Sequence, residues 1–489
     1  MQACAFVLLA LNGASIRGDV LDHAWCRTQT PSFTLYSDLK ADRAVQLAQD
    51  LERFRAAAVH FIPGDRPVED AASEVSEAPL KVIAFRSEKD FVRVFAHPQI
   101  AGFMQPSLHE HLLTFGPDTG GRDIERIAFH EYTHYLIRGR QAINYPIWYE
   151  EGFANFLATM RVDYVGQVIV GEAPVRQLRS AAKQRNLRLA QVVDERYSLV
   201  WSRHDLPDVY QKAWGFVHFL QHSHLADGSN YSAQLATVLA RVDRGESTRS
   251  AMESVYGTDL TTLERELNEY LKRRRLPTRR LAVSQASVET TQMCLDKVDV
   301  QYVLGEAAVK QNPAFAMKVL RKYLARNPND IGGLIALSRA SAADPGVAYD
   351  LARRAIDLDP DSPAANVRMA QLTMLTCTTR RDDFCTRDWQ QAAAMYRRAL
   401  KHSTARVDAA FGLGVVYLHS GQPGDAVNYL KVAYQRAPWA PRINFYLGEA
   451  YRLTGDKVKA RRHLMKALNW DAKEAWRDRA SMALAMIGQ

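Results

Sequence analysis

The sequence lacks several features that mark common protein classes. No stretch approaches the roughly 18 apolar residues of a membrane-spanning helix, so no transmembrane span is expected. Cysteine is scarce, at 5 of 489 residues, and none of the five has zinc-finger spacing. The net charge of +9 comes without a nucleic-acid-binding signature, and we therefore expect no nucleic-acid partner. What is present is an ordinary globular composition, with 47% hydrophobic residues, and a length that suggests two or three domains.

The amino-terminal residues have the character of an export signal. An apolar run from Met1 to Leu11 is followed by small residues at positions 13–15. Because neither a basic start nor a clear cleavage site accompanies the run, a buried first strand or helix is the alternative. The sequence predicts a leader over residues 1–25 and an exported protein, periplasmic or secreted.

The cysteines agree with export. Removing the leader takes away Cys4 and leaves an even number: Cys26, Cys294, Cys377 and Cys385. The last two flank a short polar insertion that a disulfide could close. Buried free thiols are the alternative, and the pairing of the four stays open.

The motif H-E-x-x-H stands at residues 130–134, inside a stretch of helical spacing without Gly or Pro, 124–137. On a helix His130 and His134 lie one turn apart on the same face, so both imidazoles can reach one cation. Glu131 lies on the neighbouring face, within reach of a water on that cation. Two neutral imidazoles favour zinc. The alternative is that all three are ordinary surface residues of an amphipathic helix.

A third ligand is expected downstream, because catalytic zinc usually takes three protein groups and leaves one position for water. Pro146 is well placed to begin a second helix, whose first turns carry Glu150 and Glu151. Adjacent helical positions point in different directions, so only one of these two carboxylates can face the metal. Asn155, one turn later, could hydrogen-bond a ligand.

The run W-x-x-E-G-x-A at residues 148–154, after H-E-x-x-H, resembles the gluzincin zinc metallopeptidases. In that family the carboxylate just before the Gly is the ligand. The resemblance therefore implies one zinc ion held by His130, His134 and Glu151.

The same resemblance implies the catalytic residues. Glu131 would take a proton from the zinc-bound water and deliver it to the departing amine. The opening Y-x-K-A at residues 210–213 is similar to the segment that carries a transition-state tyrosine in aminopeptidase-type gluzincins, which points to Tyr210. A core tyrosine is the alternative for Tyr210.

Alternation and helical spacing predict a small sheet lobe before the motif: a strand at 31–38, a helix at 42–61, and strands at 81–85 and 111–115. The resemblance implies that the strand at 111–115 forms the sheet edge that aligns substrate by strand addition.

The segment 102–106 is similar to the G-x-M-E-N segment of aminopeptidases, but Gln105 replaces the Glu that holds the substrate amine. A neutral amide cannot pair with an ammonium as a carboxylate does. The departure favours an endopeptidase over an aminopeptidase, and a plain loop is the favoured interpretation of 102–106.

Two further clusters are interpreted as ordinary surface. The basic run 272–280 carries a Pro and favours a solvated linker over contact with an anionic surface. His218, His222 and His224 have a spacing that could bind metal, but a solvated helix end is favoured.

From about residue 300 the chain becomes Ala-rich with an internal period of 34 residues, the tetratricopeptide (TPR) period. A Gly-x-x-Tyr pattern with small Ala contacts lets paired helices approach closely. About five repeats are expected, and such a solenoid usually binds a protein segment on its concave face. The alternative is that the repeats only support or oligomerise the peptidase domain. Identical residues 34 apart include Leu413/Leu447, Gly414/Gly448, Gly421/Gly455, Ala426/Ala460 and Leu430/Leu464.

The sequence thus predicts an α+β protein: a mostly helical gluzincin-like domain with a small mixed sheet, followed by an all-α TPR solenoid. The expected function is that of an exported zinc endopeptidase whose repeats recruit a protein substrate or partner. The alternative is a non-catalytic TPR scaffold on a peptidase fold. The predicted boundaries are 1–25 for the leader, 26–271 for the peptidase domain, 272–302 for a basic linker and 303–489 for the repeats.

Overall fold

A computed structural model of the protein gives the fold for most of the chain after residue 18. It describes residues 19–62, 79–98, 100–117, 124–140, 145–162, 167–173, 187–193, 206–224, 228–229, 231–282, 288–380, 385–470 and 475–487. The predicted signal run lies outside these residues, as do the side chains of Cys377 and Cys385. In the part of the chain described, no helix is long and apolar enough to cross a membrane.

A six-stranded mixed sheet organises the N-terminal half, in the spatial order β4-β5-β3-β2-β1-β9. The pairs β2–β3 and β3–β5 are parallel, and the remaining pairs are antiparallel. A second sheet has the order β6-β7-β8. The strands are β1 (Cys26–Gln29), β2 (Thr34–Ser37), β3 (Leu80–Ala84), β4 (Gly102–Gln105), β5 (His111–Phe115), β6 (Arg161–Val162), β7 (Gln167–Val170), β8 (Arg279–Ala282) and β9 (Thr291–Cys294).

Strand β4 corrects two expectations. The segment 102–106 is not a plain loop, because Gly102 to Gln105 pairs antiparallel with β5. The strand at 111–115 is not the sheet edge, because it lies between β4 and β3. Among the described strands the edge is β4, whose four residues offer too short an alternation to be recognised in sequence.

The described part of the N-terminal half contains nine helices. Helix α1 packs its apolar stripe, which includes Leu47, Leu51 and Phe54, on one face of the large sheet. The helices are α1 (Ala41–Ala58), α2 (Glu88–Phe95), α3 (Ile124–Arg140), α4 (Ile147–Leu157), α5 (Leu189–Val193), α6 (Leu206–His222), α7 (Tyr231–Asp243), α8 (Thr248–Tyr256) and α9 (Leu260–Leu271).

Five helix pairs and a terminal helix follow in the described C-terminal residues. Two positions from the 34-residue period explain the pairing: a Cβ at Gly414 would lie 2.4 Å from Leu430, and one at Gly448 would lie 2.7 Å from Leu464. Only glycine lets the paired helices come this close. The helices are α10 (Lys297–Ala308), α11 (Pro313–Arg326), α12 (Ile331–Ala340), α13 (Pro345–Leu358), α14 (Pro363–Arg380), α15 (Cys385–Leu400), α16 (Arg406–His419), α17 (Pro423–Arg436), α18 (Pro441–Leu453), α19 (Lys457–Trp470) and α20 (Ala475–Ile487).

The first helix pair of the repeats covers the second face of the large sheet. Alternate residues of β3 divide between two clusters: Val82 packs toward α1, whereas Ile83 packs with Val300 and Leu304 of α10. All five residues of β3 are therefore buried. The repeats and the N-terminal domain share one core instead of being joined by a free linker.

Residues from the predicted linker and from the end of the predicted leader belong to the folded domain. Residues 279–282 and 291–294, in the expected linker, are strands β8 and β9 of the two sheets. Trp25, in the expected leader, is buried against Phe85, and its Nε1 donates to the carbonyl of Val20 at 2.9 Å. The partners of β8, β9 and the Trp25 ring are not all close in sequence, so local composition could not reveal these contacts.

The connection between β4 and β5, residues 106–110, lies in a groove of the repeats. Leu108 is buried among apolar residues of the repeats. The His109 Nε2 lies 3.3 Å from an Arg339 nitrogen. Since these residues come from α12, α16, α17, α18 and the connection between α17 and α18, they form one surface that spans several repeats. We call this surface the repeat groove: Arg339, Asp408, Ala410, Ala433, Ala437, Trp439, Ala440 and Ile443.

Ionic contacts join the repeats to the N-terminal domain at several places among the described residues. Near the groove, Lys81 Nζ lies 2.6 Å from Glu110 and 2.5 Å from Glu306 of α10. Burial alone would lower the pKa of Lys81, but these two carboxylates outweigh burial and raise it. Farther along, Lys466 Nζ of α19 lies 3.7 Å from the Asp243 carboxylate of α7.

Candidate metal centre

Helices α3 and α4 bring the three predicted ligands together. The Nε2 atoms of His130 and His134 lie 3.3 Å apart. Glu151 places its carboxylate oxygens 3.6 Å from the His130 Nε2 and 3.8 Å from the His134 Nε2. One ligand atom from each of these residues lies within 4.8 Å of the others, so the set could hold one metal ion.

The donor set fits zinc. Two imidazole nitrogens and one carboxylate are a known combination in catalytic zinc sites. Ligand atoms about 2.0–2.2 Å from a tetrahedral zinc lie about 3.3–3.6 Å from one another, close to the separations between the three side chains here. His134 is largely buried, while His130 and Glu151 keep about a fifth of their side-chain surface exposed, 21% and 22%. The site is thus open on one side.

Glu150 and Glu151 divide into two roles. Glu151 faces both Nε2 atoms, whereas the Glu150 carboxylate lies 3.1 Å from the His134 Nδ1. When that Nδ1–H donates to Glu150, the Nε2 lone pair of His134 points to the metal position. Glu150 is therefore placed to orient the His134 ring. Sequence reasoning did not assign this role.

Negative charge surrounds the His134 ring. Burial alone would lower the pKa of His134, but the carboxylates of Glu151, Glu150 and Glu131 outweigh it and raise the pKa to about 9. A cation at this position meets the same attraction. The electrostatics of the described residues thus favour a bound positive charge.

Gly152 explains how α4 and α6 meet. A Cβ at Gly152 would lie 2.7 Å from the carbonyl oxygen of Ala213 and 2.9 Å from a Val217 methyl. The glycine after Glu151 is therefore needed for a close helix crossing. That crossing places Tyr210 of α6 close enough to Glu151 and Glu150 to feel their charge.

Tyr210 lies close enough to Glu151 and Glu150 for their negative charge to act on its hydroxyl. Burial raises its pKa, and Glu151 and then Glu150 raise it further. The phenol stays protonated at neutral pH and can donate a hydrogen bond. Asn155 contacts the main chain: its Nδ2 donates to the carbonyl of Glu151 at 2.9 Å, so it does not orient the ligating carboxylate.

Strand β4 lies against α3, the helix that carries His130 and His134. A Cβ at Gly102 of β4 would lie 2.9 Å from the Ile127 Cγ2 of α3. Gln105, at the far end of β4, accepts a hydrogen bond from the Gln311 amide of the first repeat at 2.9 Å. The side chain at position 105 is thus engaged by the repeats. No local sequence signal links these two glutamines.

The sequence suggested that the histidines of α6 form a solvated helix end, and this prediction is wrong. His218 and His222 are buried, and His218 Nε2 donates to the Gly171 carbonyl at 2.8 Å while its Nδ1 accepts from the Tyr270 hydroxyl at 2.8 Å. The Nδ1 of His222 donates to the Pro277 carbonyl at 3.2 Å. Main-chain groups in and beside the small sheet bind the rings, which explains how they tolerate burial.

Burial lowers the pKa of His218 to about 4. An unfolded chain has a histidine pKa of about 6.5, so between these values the unfolded state binds a proton that the folded state does not. We therefore expect stability to fall as the pH drops from about 6.5 towards 4. His218→Gln, which cannot titrate, should show a slope shallower by up to about 1.4 kcal/mol per pH unit.

Urea unfolding at pH 7, 6 and 5 measures this slope, because other titrating groups contribute equally to both proteins. Equal slopes for wild type and His218→Gln would mean that the ring binds its proton equally in the folded and the unfolded state.

Comparison with known families identifies the helix pairs at the C-terminal end. Two tetratricopeptide repeat models match, one at residues 386–441 and one at residues 417–487. Residues 386–487 are tetratricopeptide repeats. This confirms the repeat prediction for that region, and arrays of this kind typically form protein-binding surfaces. No curated protein shows significant similarity to the chain.

Solved structures that show a likeness to part of this chain include three bacterial proteins. A thermophilic TPR protein of Thermus thermophilus is 20% identical, with 38% of this chain and 99% of that chain covered and a TM-score of 0.34. PilF of Pseudomonas aeruginosa is 17% identical, with 39% and 88% covered and a TM-score of 0.32. MamA of Desulfovibrio magneticus is 16% identical, with 37% and 98% covered and a TM-score of 0.29. Each likeness covers less than two fifths of this chain.

Proposed function

We propose that the protein is an exported, zinc-dependent peptidase that cleaves within polypeptide chains. The observation that carries the proposal is the convergence of His130, His134 and Glu151 on one position, beside Glu131. Helix spacing alone brings the first two together, but Glu151 comes from a separate helix. Two histidines and one carboxylate form an established ligand set for catalytic zinc, and Glu150 would orient His134 from outside that set.

A zinc ion held there would polarise the scissile carbonyl and acidify a water molecule. Glu131 would accept the proton from the attacking water and pass it to the departing amine. Tyr210, kept protonated by burial and by Glu151 and Glu150, would donate to the oxyanion. Glu150 would hold the His134 ring in the metal-binding tautomer throughout.

Strand β4 supports an extended peptide as substrate. It is an edge strand among those described, and it packs on the helix that carries both histidines. A substrate strand could add to this edge through main-chain hydrogen bonds. Because Gln105 is neutral and bonded to Gln311, this position does not supply the anionic partner that an aminopeptidase needs for a substrate amine.

The repeats have a direct part in this proposal. They hold residues 106–110, the connection that follows β4, in the repeat groove. We infer that the groove positions the substrate-binding edge, and that a protein partner of the repeats would influence the site through this connection. The proposal also includes recruitment of a protein substrate by the repeats. That substrate would bind repeat surface that residues 106–110 do not cover.

The test measures metal and turnover together. Full-length protein should contain about one zinc per chain by mass spectrometry of metals and should cleave fluorescent casein. A chelator should remove both the metal and the activity, and added zinc should restore both, because the proposed mechanism depends on the ion. Glu151→Ala should lose zinc, whereas Asn155→Ala, whose amide donates to the main chain, should keep it.

Stoichiometric zinc without cleavage of casein or of a panel of extended peptides would contradict the enzymatic proposal. The protein would then be a non-catalytic repeat scaffold on the same fold. Cleavage that survives complete metal removal would contradict the assignment of the site.

A further inference from the structure

Two cysteines from opposite ends of the N-terminal domain stand side by side in the large sheet. Cys26 of β1 is the direct antiparallel partner of Cys294 of β9. Their Sγ atoms are in contact at 2.9 Å, across 268 positions of sequence. Directly opposed residues of an antiparallel pair have Cα separations within the range that a disulfide spans.

The surrounding contacts hold this register. The Leu295 N–H donates to the Trp25 carbonyl at 2.8 Å, one position beyond the cysteine pair. On the other side, the Gln292 amide donates to the Thr28 hydroxyl at 3.1 Å. The two thiols are thus bracketed by hydrogen bonds and need no large backbone movement to join.

Strand β9 is held by hydrogen bonds and not by apolar packing. All four of its residues are exposed, so it buries almost no apolar surface, and it forms the outer edge of the sheet away from β4. Yet it leads directly into α10, the first helix of the repeats. A short, exposed edge strand at this junction is the place where a covalent link adds most.

We propose that Cys26 and Cys294 form a disulfide that fastens the start of the repeats to the first strand of the N-terminal domain. The co-reactant is a disulfide reagent, either a small molecule or an oxidising protein. The exposed Cys294 thiolate attacks one sulfur of the reagent and displaces a first thiol. Cys26 then loses its proton to solvent and attacks the Cys294 sulfur, which releases a second thiol. Two protein thiols are oxidised as one reagent disulfide is reduced to two thiols.

The order of these steps follows from exposure. Cys294 is exposed and Cys26 is buried. Burial, together with the neighbouring thiol, raises the pKa of Cys26 to about 11. Cys26 is therefore a poor first nucleophile and acts once the mixed disulfide lies against it.

The bond is detected at the level of peptides. Full-length protein is treated with oxidised glutathione, remaining thiols are alkylated, and tryptic peptides are analysed without reduction. The expected product joins residues 18–27 to residues 281–297, the tryptic peptides that carry the two cysteines. Both cysteines found alkylated, or either one linked to Cys377 or Cys385, would overturn the proposal.

Thermal unfolding gives an independent readout. A phosphine reductant should lower the Tm of the oxidised protein by an amount on the order of 5–10 °C. Cys294→Ser, at an exposed position, should fold and show the lower Tm with or without reductant. Cys377→Ser should respond to reductant as the wild type does. An unchanged wild-type Tm on reduction would show that the pair does not constrain the fold, and it would leave the zinc and casein results untouched.

Discussion

Glu131→Gln is expected to lower kcat/KM for casein by between about 10²- and 10⁴-fold while zinc stays bound at about one ion per chain. The amide keeps the size of the side chain but cannot accept and return a proton, and general acid–base catalysis contributes roughly that factor. The three ligands are unchanged, so metal affinity should be largely preserved. Metal analysis and progress curves on the same preparation measure both quantities.

Glu125→Gln is the matched control, since Glu125 lies on the same helix and pairs with Arg43 at the surface. Exposed pairs of this kind contribute about 0–1 kcal/mol, and the variant should keep its zinc and its turnover. Glu131→Gln that retains a tenth or more of wild-type activity would remove Glu131 from the chemistry. Loss of zinc from Glu131→Gln would make it a ligand and displace Glu151 from that role.

The convergence of His130, His134 and Glu151 was accessible to sequence reasoning because the three residues are close in sequence. His130 and His134 are joined by one helical turn, and Glu151 stands in the first turns of the next helix. What local spacing could not decide was which of two adjacent carboxylates faces the histidines. The helix crossing at Gly152 sets the rotation of α4, and that contact involves Ala213, about sixty residues away.

The repeats were predictable for a related reason. Each helix pair repeats the same packing, so Gly414 and Gly448 carry the same requirement 34 residues apart, and Gly421 and Gly455 both adopt positive φ. The groove contact was not predictable. Leu108 and Trp439 lie in different domains, and nothing in either segment marks the other.

Strand β4 and the linker strands show the same limit. A four-residue strand is defined by its partner more than by its own alternation, as β4 is by β5 and β9 is by β1. The histidines of α6 were misjudged because their partners are main-chain carbonyls of Gly171 and Pro277. Main-chain acceptors leave no signature in the sequence.

Leu108→Ala is expected to destabilise the protein by about 2–5 kcal/mol, the range for removing a buried leucine side chain. Leu108 is 5% exposed, and the chain on either side of it joins β4 to β5. Losing this contact should also free the hairpin, so we expect faster amide exchange across residues 102–115. Urea unfolding and hydrogen exchange of the native protein measure the two effects. Leu453→Ala is the matched control, because Leu453 lies on the same array but is 52% exposed.

Trp439→Ala tests whether the groove itself provides this stability. Trp439 is 6% exposed, packs with Leu108, and lies 5.4 Å, centroid to centroid, from His111. His111 in turn lies 5.3 Å from Tyr135, the residue after the ligand His134. If Leu108 and Trp439 stabilise the protein through the same contact, the loss of unfolding free energy in the double variant should be smaller than the sum of the two single losses. The expected difference is about 0.5–3 kcal/mol. Additive effects, or unchanged protection of residues 102–115 in Trp439→Ala, would show that the repeats only cover the sheet and do not hold its edge.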